Sequence, residues 1–224
     1  MPDFTEQRER MVRRYRGAGY IKTEAVARAM LKVPREEFMD PAYVDYAYND
    51  QPFPIPGDGR QTISAPYMYP IFYEPLELED GDRFLEIGAG SGYGAALARE
   101  LVGPTGLVVA IEINPVTYRF ASANLRRMGY GDIVLVQGDG SLGYPEKAPY
   151  DAICITAACP EIPPPLIEQL GAEGRLIAPV GSASSLLGQD LVMLEKDEEG
   201  RIHRRTMMKV AYVPLIGKYG WAPR

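Results

Sequence analysis

The chain has 224 residues, of which 46% are hydrophobic and 24% are charged, a balance typical of ordinary globular proteins and not of disordered or fibrous ones. This length suits one domain with a substantial core, whereas two full domains would be cramped. The formal net charge of −6 argues against a duplex nucleic acid as a partner, because phosphate contacts require a basic surface.

The N-terminal part of the sequence reads as two helices followed by a loop. Helical spacing of apolar residues predicts helices over 3–16 and 23–32, and Thr23 is a suitable N-cap for the second one. Prolines and glycines in NDQPFPIPGDGR, residues 49–60, predict an irregular loop that continues into RQTISAPYM, residues 60–68. A short helix is expected from there until Pro75.

Beyond Pro75, apolar strands alternate with helices, which is typical of βαβ units and a parallel sheet. The predicted strands are 83–87, 107–111, 133–137, 152–156 and 175–180, and the predicted helices are 93–102, 115–128 and 164–171.

The C-terminal part, residues 190–217, predicts two further strands around a Glu-Glu-Gly turn, and so short a connection permits only an antiparallel pair. The expected fold is a Rossmann-like doubly wound α/β/α sandwich. Its sheet is mostly parallel and ends in the antiparallel hairpin. A single domain is expected over 1–224, with 1–75 forming the helices and the loop and 76–224 forming the α/β core.

Several classes of protein are disfavoured by what the sequence lacks. No apolar run approaches the roughly 20 residues of a membrane span, and the N-terminus, MPDFTEQRER, lacks the apolar core of a signal peptide. We therefore expect a cytoplasmic protein that has no membrane partner. Cys154 and Cys159 are the only cysteines and His203 is the only histidine, so neither a disulfide framework nor a metal site is predicted.

The run LEIGAGSGYG, residues 85–94, leads from a strand into a helix through Gly88, Gly90 and Gly92. Glycines in this arrangement let the backbone turn tightly and approach a ligand closely. Gly90, Gly92 and Ala95 also satisfy the dinucleotide pattern G-x-G-x-x-A, which leaves a nicotinamide-dependent oxidoreductase open. A tight turn without a ligand is a second alternative.

Three acidic residues lie at or near the carboxyl ends of successive predicted strands, where open α/β sheets bind ligands. Glu112 has two oxygens that suit the hydroxyl pair of a ribose, and Asp139, beside Gly140, is expected to accept from an exocyclic amine such as that of adenine. Glu86 places negative charge beside the glycine loop, where a pyrophosphate would be repelled and a cation favoured. S-adenosylmethionine, which carries an ammonium, a sulfonium and no phosphate, fits this pattern.

LEIGAGSGY also resembles the first motif of the class I S-adenosylmethionine-dependent methyltransferases, and this resemblance covers residues 80–180. A closer resemblance spans nearly the whole chain. The runs QTISAPYM, LEIGAGSGYGAA, GDGSLGY, YDAICITAACPEIPPPLIEQL and VPLIGKYGW resemble, in the same order, the protein-L-isoaspartate O-methyltransferase family. This resemblance implies methyl transfer to the α-carboxylate of L-isoaspartyl residues in damaged proteins, after which spontaneous succinimide formation can restore aspartate.

The same resemblance implies a set of site residues. Ser64 matches the family's active-site serine, which holds the substrate carboxylate, and family members vary between histidine and tyrosine at the position of Tyr67. The cofactor is expected at Glu86, Gly88, Gly90, Gly92, Glu112, Asp139 and Gly140. The substrate is expected at Thr62, Ile63, Tyr67, Thr156, Ala157, Ala158 and Tyr219. Two alternatives remain, namely that TAACP, residues 156–160, is a plain connecting loop and that Tyr219 and Trp221 only anchor the C-terminus.

The chemistry requires no general base. An α-carboxyl group has an unperturbed pKa of about 3.3 to 3.7 and is already an anionic nucleophile at neutral pH. Because opposite charges cancel as the carboxylate attacks the sulfonium methyl, a dry pocket favours the transition state. Neutral donors such as Ser64 compensate the carboxylate for lost hydration, whereas a bidentate arginine would lower its reactivity. His203 is accordingly expected to be structural or merely exposed.

The predicted partners are therefore peptides and proteins that contain isoaspartyl residues, with no nucleic acid, and a monomer is expected. A class I methyltransferase acting on RNA or a small molecule is the leading alternative. It is disfavoured by the acidic charge and by the absence of an Asn-Pro-Pro-Tyr loop. Glu86 disfavours the oxidoreductase, and the intact glycine loop and Ser64 disfavour a non-catalytic binding protein.

Overall fold

The computed structural model describes residues 3–182 and 188–222, which form helices around a central sheet. The helices are α1 Phe4–Gly17, α2 Glu24–Lys32, α3 Met68–Tyr73, α4 Tyr93–Leu101, α5 Pro115–Arg127 and α6 Pro164–Gln169. The strands are β1 Phe53–Pro54, β2 Thr62–Ile63, β3 Arg83–Ile87, β4 Leu107–Glu112, β5 Val134–Gln137, β6 Tyr150–Ile155, β7 Leu170–Val180, β8 Gln189–Lys196 and β9 Ile202–Val210.

The central sheet has the strand order β5-β4-β3-β6-β7-β8-β9. The strands from β5 to β7 pair in parallel, and β8 pairs antiparallel with both β7 and β9. The predicted mostly parallel sheet with a C-terminal antiparallel hairpin is thereby confirmed. Because the chain crosses from β5 back past β3 to β6, the carboxyl ends of β3 and its neighbours meet at a switch in strand order, where open sheets bind ligands.

Alternate residues of the central strands β3 and β4 enter two different cores, as strand geometry requires. On β3, Phe84 belongs to the core that also holds residues of α1 to α5. Its neighbours Leu85 and Ile87 belong to a second core, which includes Leu166 of α6. The sheet is therefore covered by helices on both faces, and the predicted α/β/α sandwich is confirmed.

Local sequence signals account for where several elements begin. The Thr23 hydroxyl accepts from the Val26 amide at 3.3 Å, so Thr23 is the N-cap of α2 as predicted. Asn114 caps α5 in the same way, since its side chain accepts from the amides of Val116 and Thr117. These contacts satisfy amides of the first turn that have no partner within the helix.

Two local features differ from the sequence prediction. The expected irregular loop contains a short antiparallel pair, in which Phe53 of β1 lies opposite Ile63 of β2, and both side chains are buried. Strand β7 begins at Leu170, five residues earlier than predicted, because Leu170 pairs with Tyr150 of β6. The Leu170 carbonyl also accepts from Lys196 at 2.7 Å. Both differences arise from contacts between segments far apart in sequence, which local patterning does not encode.

A buried carboxylate is one of the contacts that hold the N-terminal helices on the rest of the fold. Glu74, which is 9% exposed, follows α3. Its Oε1 accepts from the backbone amides of Lys22 and Thr23 at 2.8 and 3.0 Å and from the Thr23 hydroxyl at 3.2 Å. Helix α2 also packs against α4. Within residues 3–182 and 188–222, no helix has the length and apolarity that a membrane crossing requires.

Replacing Glu74 with alanine is expected to lower the free energy of unfolding by about 2 to 4 kcal/mol, because two backbone amides and a hydroxyl lose a buried, charged acceptor. Urea unfolding followed by circular dichroism measures the loss. The matched control is Glu79→Ala, since Glu79 is exposed and its removal should change stability by less than about 0.5 kcal/mol. Equal stabilities of the two variants would contradict the proposed tie.

Candidate active site

A cavity opens at the carboxyl ends of β3, β4 and β6, and its empty volume, counted to the open mouth, is about 1000 Å³. The β2 loop and α3 form one side, and residues 212–216 form another. Ten of the residues expected from the sequence line it: Thr62, Ile63, Ser64, Glu86, Gly88, Gly90, Glu112, Gly140, Thr156 and Ala157.

The glycine loop forms the floor of this cavity with an unusual backbone. Gly88 and Gly90 have φ values of +92° and +56°, which side-chain-bearing residues rarely adopt. A Cβ atom at Gly88 would lie 2.8 Å from the Thr156 hydroxyl oxygen. That hydroxyl donates to the Gly88 carbonyl at 2.7 Å, so the loop after β3 and the loop after β6 are held in direct contact.

Glu112, at the end of β4, holds the glycine loop from the other side. One of its oxygens accepts from the Gly90 amide and the other from the Asn114 amide, each at 2.9 Å. Burial raises the pKa of Glu112, and the backbone donors oppose that rise. The Ile113 amide is a third backbone donor to this carboxylate. Because a carboxylate offers about four acceptor positions, the side chain can still accept one hydrogen bond from a ligand in the cavity.

Glu86 is a carboxyl group with unused acceptor capacity. It is 2% exposed, and its Oε2 has no hydrogen-bond partner among the described residues. Burial, together with the nearby charge of Glu112, raises the pKa of Glu86 to about 8, and a hydrogen bond from the Ala95 amide only partly opposes this. Such a group holds a proton until a cation approaches it.

Ser64 lies among aromatic hydroxyls that also line the cavity. Burial raises the pKa of Tyr212 well above the usual value, and the Ser64 side chain is close enough to the Tyr212 hydroxyl to lower that pKa slightly. The Ser64 backbone acts in the same way on Tyr69, whose pKa burial raises to about 12. The ring of Tyr212 packs on Phe72 at a centroid distance of 5.5 Å. Both tyrosines remain neutral hydrogen-bonding groups at neutral pH.

Sequence reasoning missed Tyr69 and Tyr212, although a signal existed for the first. Met68, Tyr69, Phe72 and Tyr73 follow the spacing of one helix face, and all four line the cavity. Tyr212 precedes the Val-Pro-Leu run, and only the folded chain brings it to Ser64.

Two predicted cofactor residues lie outside the cavity lining. Gly92 is the N-cap of α4, and a Cβ there would lie 3.0 Å from Leu125, so this glycine permits close packing of α4 on α5. The Asp139 carboxylate accepts from the amide and hydroxyl of Ser141 and from the Lys218 amide. Its neighbour Gly140 does line the cavity.

Three predicted substrate residues also lie outside the lining. The ring of Tyr67 packs on Tyr20 at 5.9 Å between centroids. Ala158 exchanges backbone hydrogen bonds with residues 213 and 215 and accepts from the Trp221 indole. The Tyr219 amide donates to the Ser141 hydroxyl.

His203 lies on β9, where it is exposed and pairs with Asp197. It is not among the residues that line the cavity. Within the described ranges, no group of three or more His, Cys, Asp or Glu side chains is placed to hold a metal ion.

Solved structures share this fold. A protein-L-isoaspartate O-methyltransferase superposes with a TM-score of 0.85 at 31% identity, over 95% of this chain and 67% of the other. A protein-L-isoaspartate O-methyltransferase structure from Plasmodium falciparum, in complex with S-adenosyl-L-homocysteine, has a TM-score of 0.81 at 23% identity, over 93% and 98% of the two chains. The sheet, the glycine loop and the buried carboxylates thus define a methyltransferase of the α/β class.

Sequence comparison identifies the family. The family described as protein-L-isoaspartate(D-aspartate) O-methyltransferase matches residues 6–220. The protein-L-isoaspartate O-methyltransferase of Methanothermobacter thermautotrophicus is 47% identical, over 96% of this chain and 98% of its own, and that of Methanopyrus kandleri is 48% identical, over 97% and 95%. The chain belongs to this family, which confirms the resemblance seen in the five motifs and sets aside the oxidoreductase and the binding-protein alternatives.

The raised pKa of Glu86 predicts a pH-dependent stability. Between the ordinary value of 4.5 and about 8, the folded state binds a proton that the unfolded state releases, so stability falls as pH rises through this window. Glutamine cannot titrate. The free energy of unfolding of Glu86→Gln minus that of the parent should therefore increase by up to about 1.4 kcal/mol for each pH unit within the window. Urea unfolding of cofactor-free protein at pH 5, 6, 7 and 8 measures this, and a constant difference between the two proteins would contradict it.

Proposed function

We propose that this protein transfers the methyl group of S-adenosylmethionine to the α-carboxylate of L-isoaspartyl residues in proteins. The observation that carries this proposal is one cavity with two kinds of lining group. Buried carboxyl groups and the glycine loop line it together with Ser64 and neutral tyrosine hydroxyls. Family membership across residues 6–220 supports it, as do the protein-L-isoaspartate O-methyltransferases that are 47% and 48% identical to this chain.

The residues present fit this cofactor. The unpartnered Glu86 Oε2 suits a cationic group, and the remaining acceptor position of Glu112 suits a ribose hydroxyl. Gly88 and Gly90 have positive φ values that side-chain-bearing residues rarely adopt, so the loop presents bare backbone to the cavity. A cation beside Glu86 lowers the pKa of that carboxyl and displaces its proton, so affinity should increase with pH toward about 8.

S-adenosylmethionine supplies an electrophilic methyl group on a sulfonium. The chain's own residues then have to bind and orient the substrate carboxylate and exclude water. Ser64 donates to that carboxylate, and Tyr212 and Tyr69 orient Ser64 through the contacts described above. Thr62, Ile63 and the loop at Thr156 and Ala157 line the approach for the peptide. The remaining rate acceleration comes from holding the substrate carboxylate in line with the methyl group.

No proton has to be removed from the nucleophile, and the cavity is built accordingly. Among the described residues that line it, there is no His, Lys or Arg side chain. A guanidinium in contact with the carboxylate would stabilise the reactant more than the charge-neutralised transition state. Neutral donors in a mostly apolar cavity avoid that cost and strengthen the attraction between carboxylate and sulfonium.

We further propose that residues 1–224 form one domain and that the protein is a cytoplasmic monomer. One hydrophobic core contains residues of α1 and α2 together with residues of β3 and α4, which supports the single domain. Analytical ultracentrifugation tests the monomer, and a concentration-dependent mass near twice 24.8 kDa would contradict it.

Replacing Ser64 with alanine is expected to lower kcat/KM for an isoaspartyl peptide by about 5- to 150-fold, because one neutral donor among several is lost. The dissociation constant for S-adenosylmethionine should stay within about twofold. Ser64→Thr keeps the hydroxyl and should retain more activity. Steady-state methyl transfer to the isoaspartyl peptide and to its aspartyl twin measures the effect.

Ser122→Ala, a serine of α5 outside the cavity, is the matched control and should behave as the parent does. A parental kcat/KM for Ser64→Ala would remove Ser64 from the site. A parent enzyme that methylates both peptides equally would overturn the proposed substrate.

Replacing Glu112 with alanine should weaken cofactor binding by roughly 10- to 150-fold, because a partly buried charged acceptor is lost and the Gly90 and Asn114 amides lose their partner. Calorimetric titration with S-adenosylhomocysteine measures this without turnover. Unchanged affinity would show that the ribose is held elsewhere.

A further inference from the structure

The C-terminal segment, defined here as residues 211–222, forms a wall of the cavity although it contains no helix and no strand of the main sheet. Its residues 212–216 line the cavity, and they include Tyr212, which contacts Ser64. A segment without regular structure keeps a fixed position only if specific contacts hold it. The contacts that hold this segment therefore determine the shape of the cavity wall beside Ser64.

Ala158, in the loop after β6, provides the first attachment. Its amide donates to the Val213 carbonyl at 2.7 Å, and its carbonyl accepts from the Leu215 amide at 2.8 Å. The same carbonyl accepts from the Trp221 indole at 3.0 Å. Ala158 itself is fully buried. These are backbone contacts, so a side-chain substitution cannot remove the first two of them.

Asp139 and Ser141 provide the second attachment, and it consists of side chains. Oδ1 of Asp139 accepts from the Ser141 amide at 2.9 Å and from the Ser141 hydroxyl at 2.7 Å. Oδ2 accepts from the Lys218 amide at 2.7 Å, and the Ser141 hydroxyl oxygen accepts from the Tyr219 amide at 3.1 Å. Two successive amides of the C-terminal segment thus depend on one carboxylate–hydroxyl pair.

Gly217 shows how closely the segment approaches this pair. A Cβ atom at Gly217 would lie 2.0 Å from Asp139 Oδ1, a distance that no carbon and oxygen adopt without a bond. Any side chain at position 217 must therefore displace either the carboxylate or the segment. The contact requires a glycine at position 217, so it constrains the residues at both position 217 and position 139.

We propose that Asp139 and Ser141 are positioning residues for the methyl-accepting substrate: they hold the C-terminal segment in place and so set the wall that carries Tyr212 beside Ser64. This role differs from the adenine contact expected of Asp139 from the sequence, because it acts through the segment that carries Tyr212. The expected effect on methyl transfer rests on the proposed function. The attachment of the C-terminal segment rests on geometry alone.

Hydrogen–deuterium exchange of the full chain without peptide tests the structural part. In Asp139→Ala and Ser141→Ala, the amides of residues 213–221 should exchange roughly 3- to 30-fold faster than in the parent, because each variant removes one or two hydrogen bonds of the attachment. Gly217→Ala should show the same loosening. Ser141→Thr keeps the hydroxyl and should restore the parental rate. If these amides exchange at the parental rate in Asp139→Ala, Ser141→Ala and Gly217→Ala alike, the proposal is wrong.

Kinetics test the functional part and separate it from cofactor binding. Ser141→Ala leaves the Asp139 carboxylate in place, so it should raise the KM for the isoaspartyl peptide several-fold while kcat falls less and the dissociation constant for S-adenosylhomocysteine stays within about twofold. A Ser141→Ala enzyme with parental peptide KM, or with its whole defect in cofactor affinity, would refute the positioning role.

The matched control is Gly131→Ala, where a Cβ meets no atom within 4 Å, and it should match the parent in exchange and kinetics. If no variant and not even the parent methylates the peptide, the proposed function fails, while the exchange data still decide whether Asp139 and Ser141 hold the segment. If Asp139→Ala does not fold, Ser141→Ala and Gly217→Ala carry the test.

Discussion

Glu112 accepts hydrogen bonds from the Gly90 and Asn114 amides, and the cavity depends on this pair of contacts. A glycine loop is flexible by composition, because each glycine loses more conformational freedom on folding than other residues do. A carboxylate fixed at the end of the adjacent strand holds the loop open toward the ligand. The parallel pairing of β3 with β4 places that carboxylate at the loop, so the sheet and the site are parts of one arrangement.

The cavity lining combines acidic groups with neutral hydroxyl groups. Burial, together with the nearby charge of Glu112, raises the pKa of Glu86 to about 8, and Ser64, Tyr69 and Tyr212 contribute neutral hydroxyl groups to the same cavity. The charge of Glu86 also acts on the pKa of Tyr69, so the two kinds of group lie near one another. A cationic methyl donor and an anionic acceptor can therefore be held side by side, where their charges cancel toward the transition state.

The fold was largely predictable because its signals are local. Alternating apolar strands, the Thr23 cap and the hairpin turn each depend on residues within a few positions of one another. The clustering of Glu86, Gly88, Gly90 and Glu112, the proposed cofactor residues, was predictable for the same reason, since each lies at or directly after the carboxyl end of its strand. The early start of β7 and the β1–β2 pair were not, because Leu170 pairs with Tyr150 and Phe53 pairs with Ile63 only in the folded chain.

The surroundings of Ser64 show most clearly what local sequence patterns cannot predict. Ser64 was found through a family motif, but its neighbour Tyr212 lies 148 positions further along the chain, and no periodicity relates the two. Their contact exists because the last segment of the chain returns to the strand ends and is fastened there by Ala158, Asp139 and Ser141. Asp139 illustrates the consequence. Its position after a strand predicts a ligand contact, yet three of its acceptor positions are used by the protein itself. An acidic residue at a strand end can therefore serve the site by holding another segment in place, and only the geometry of that segment reveals it.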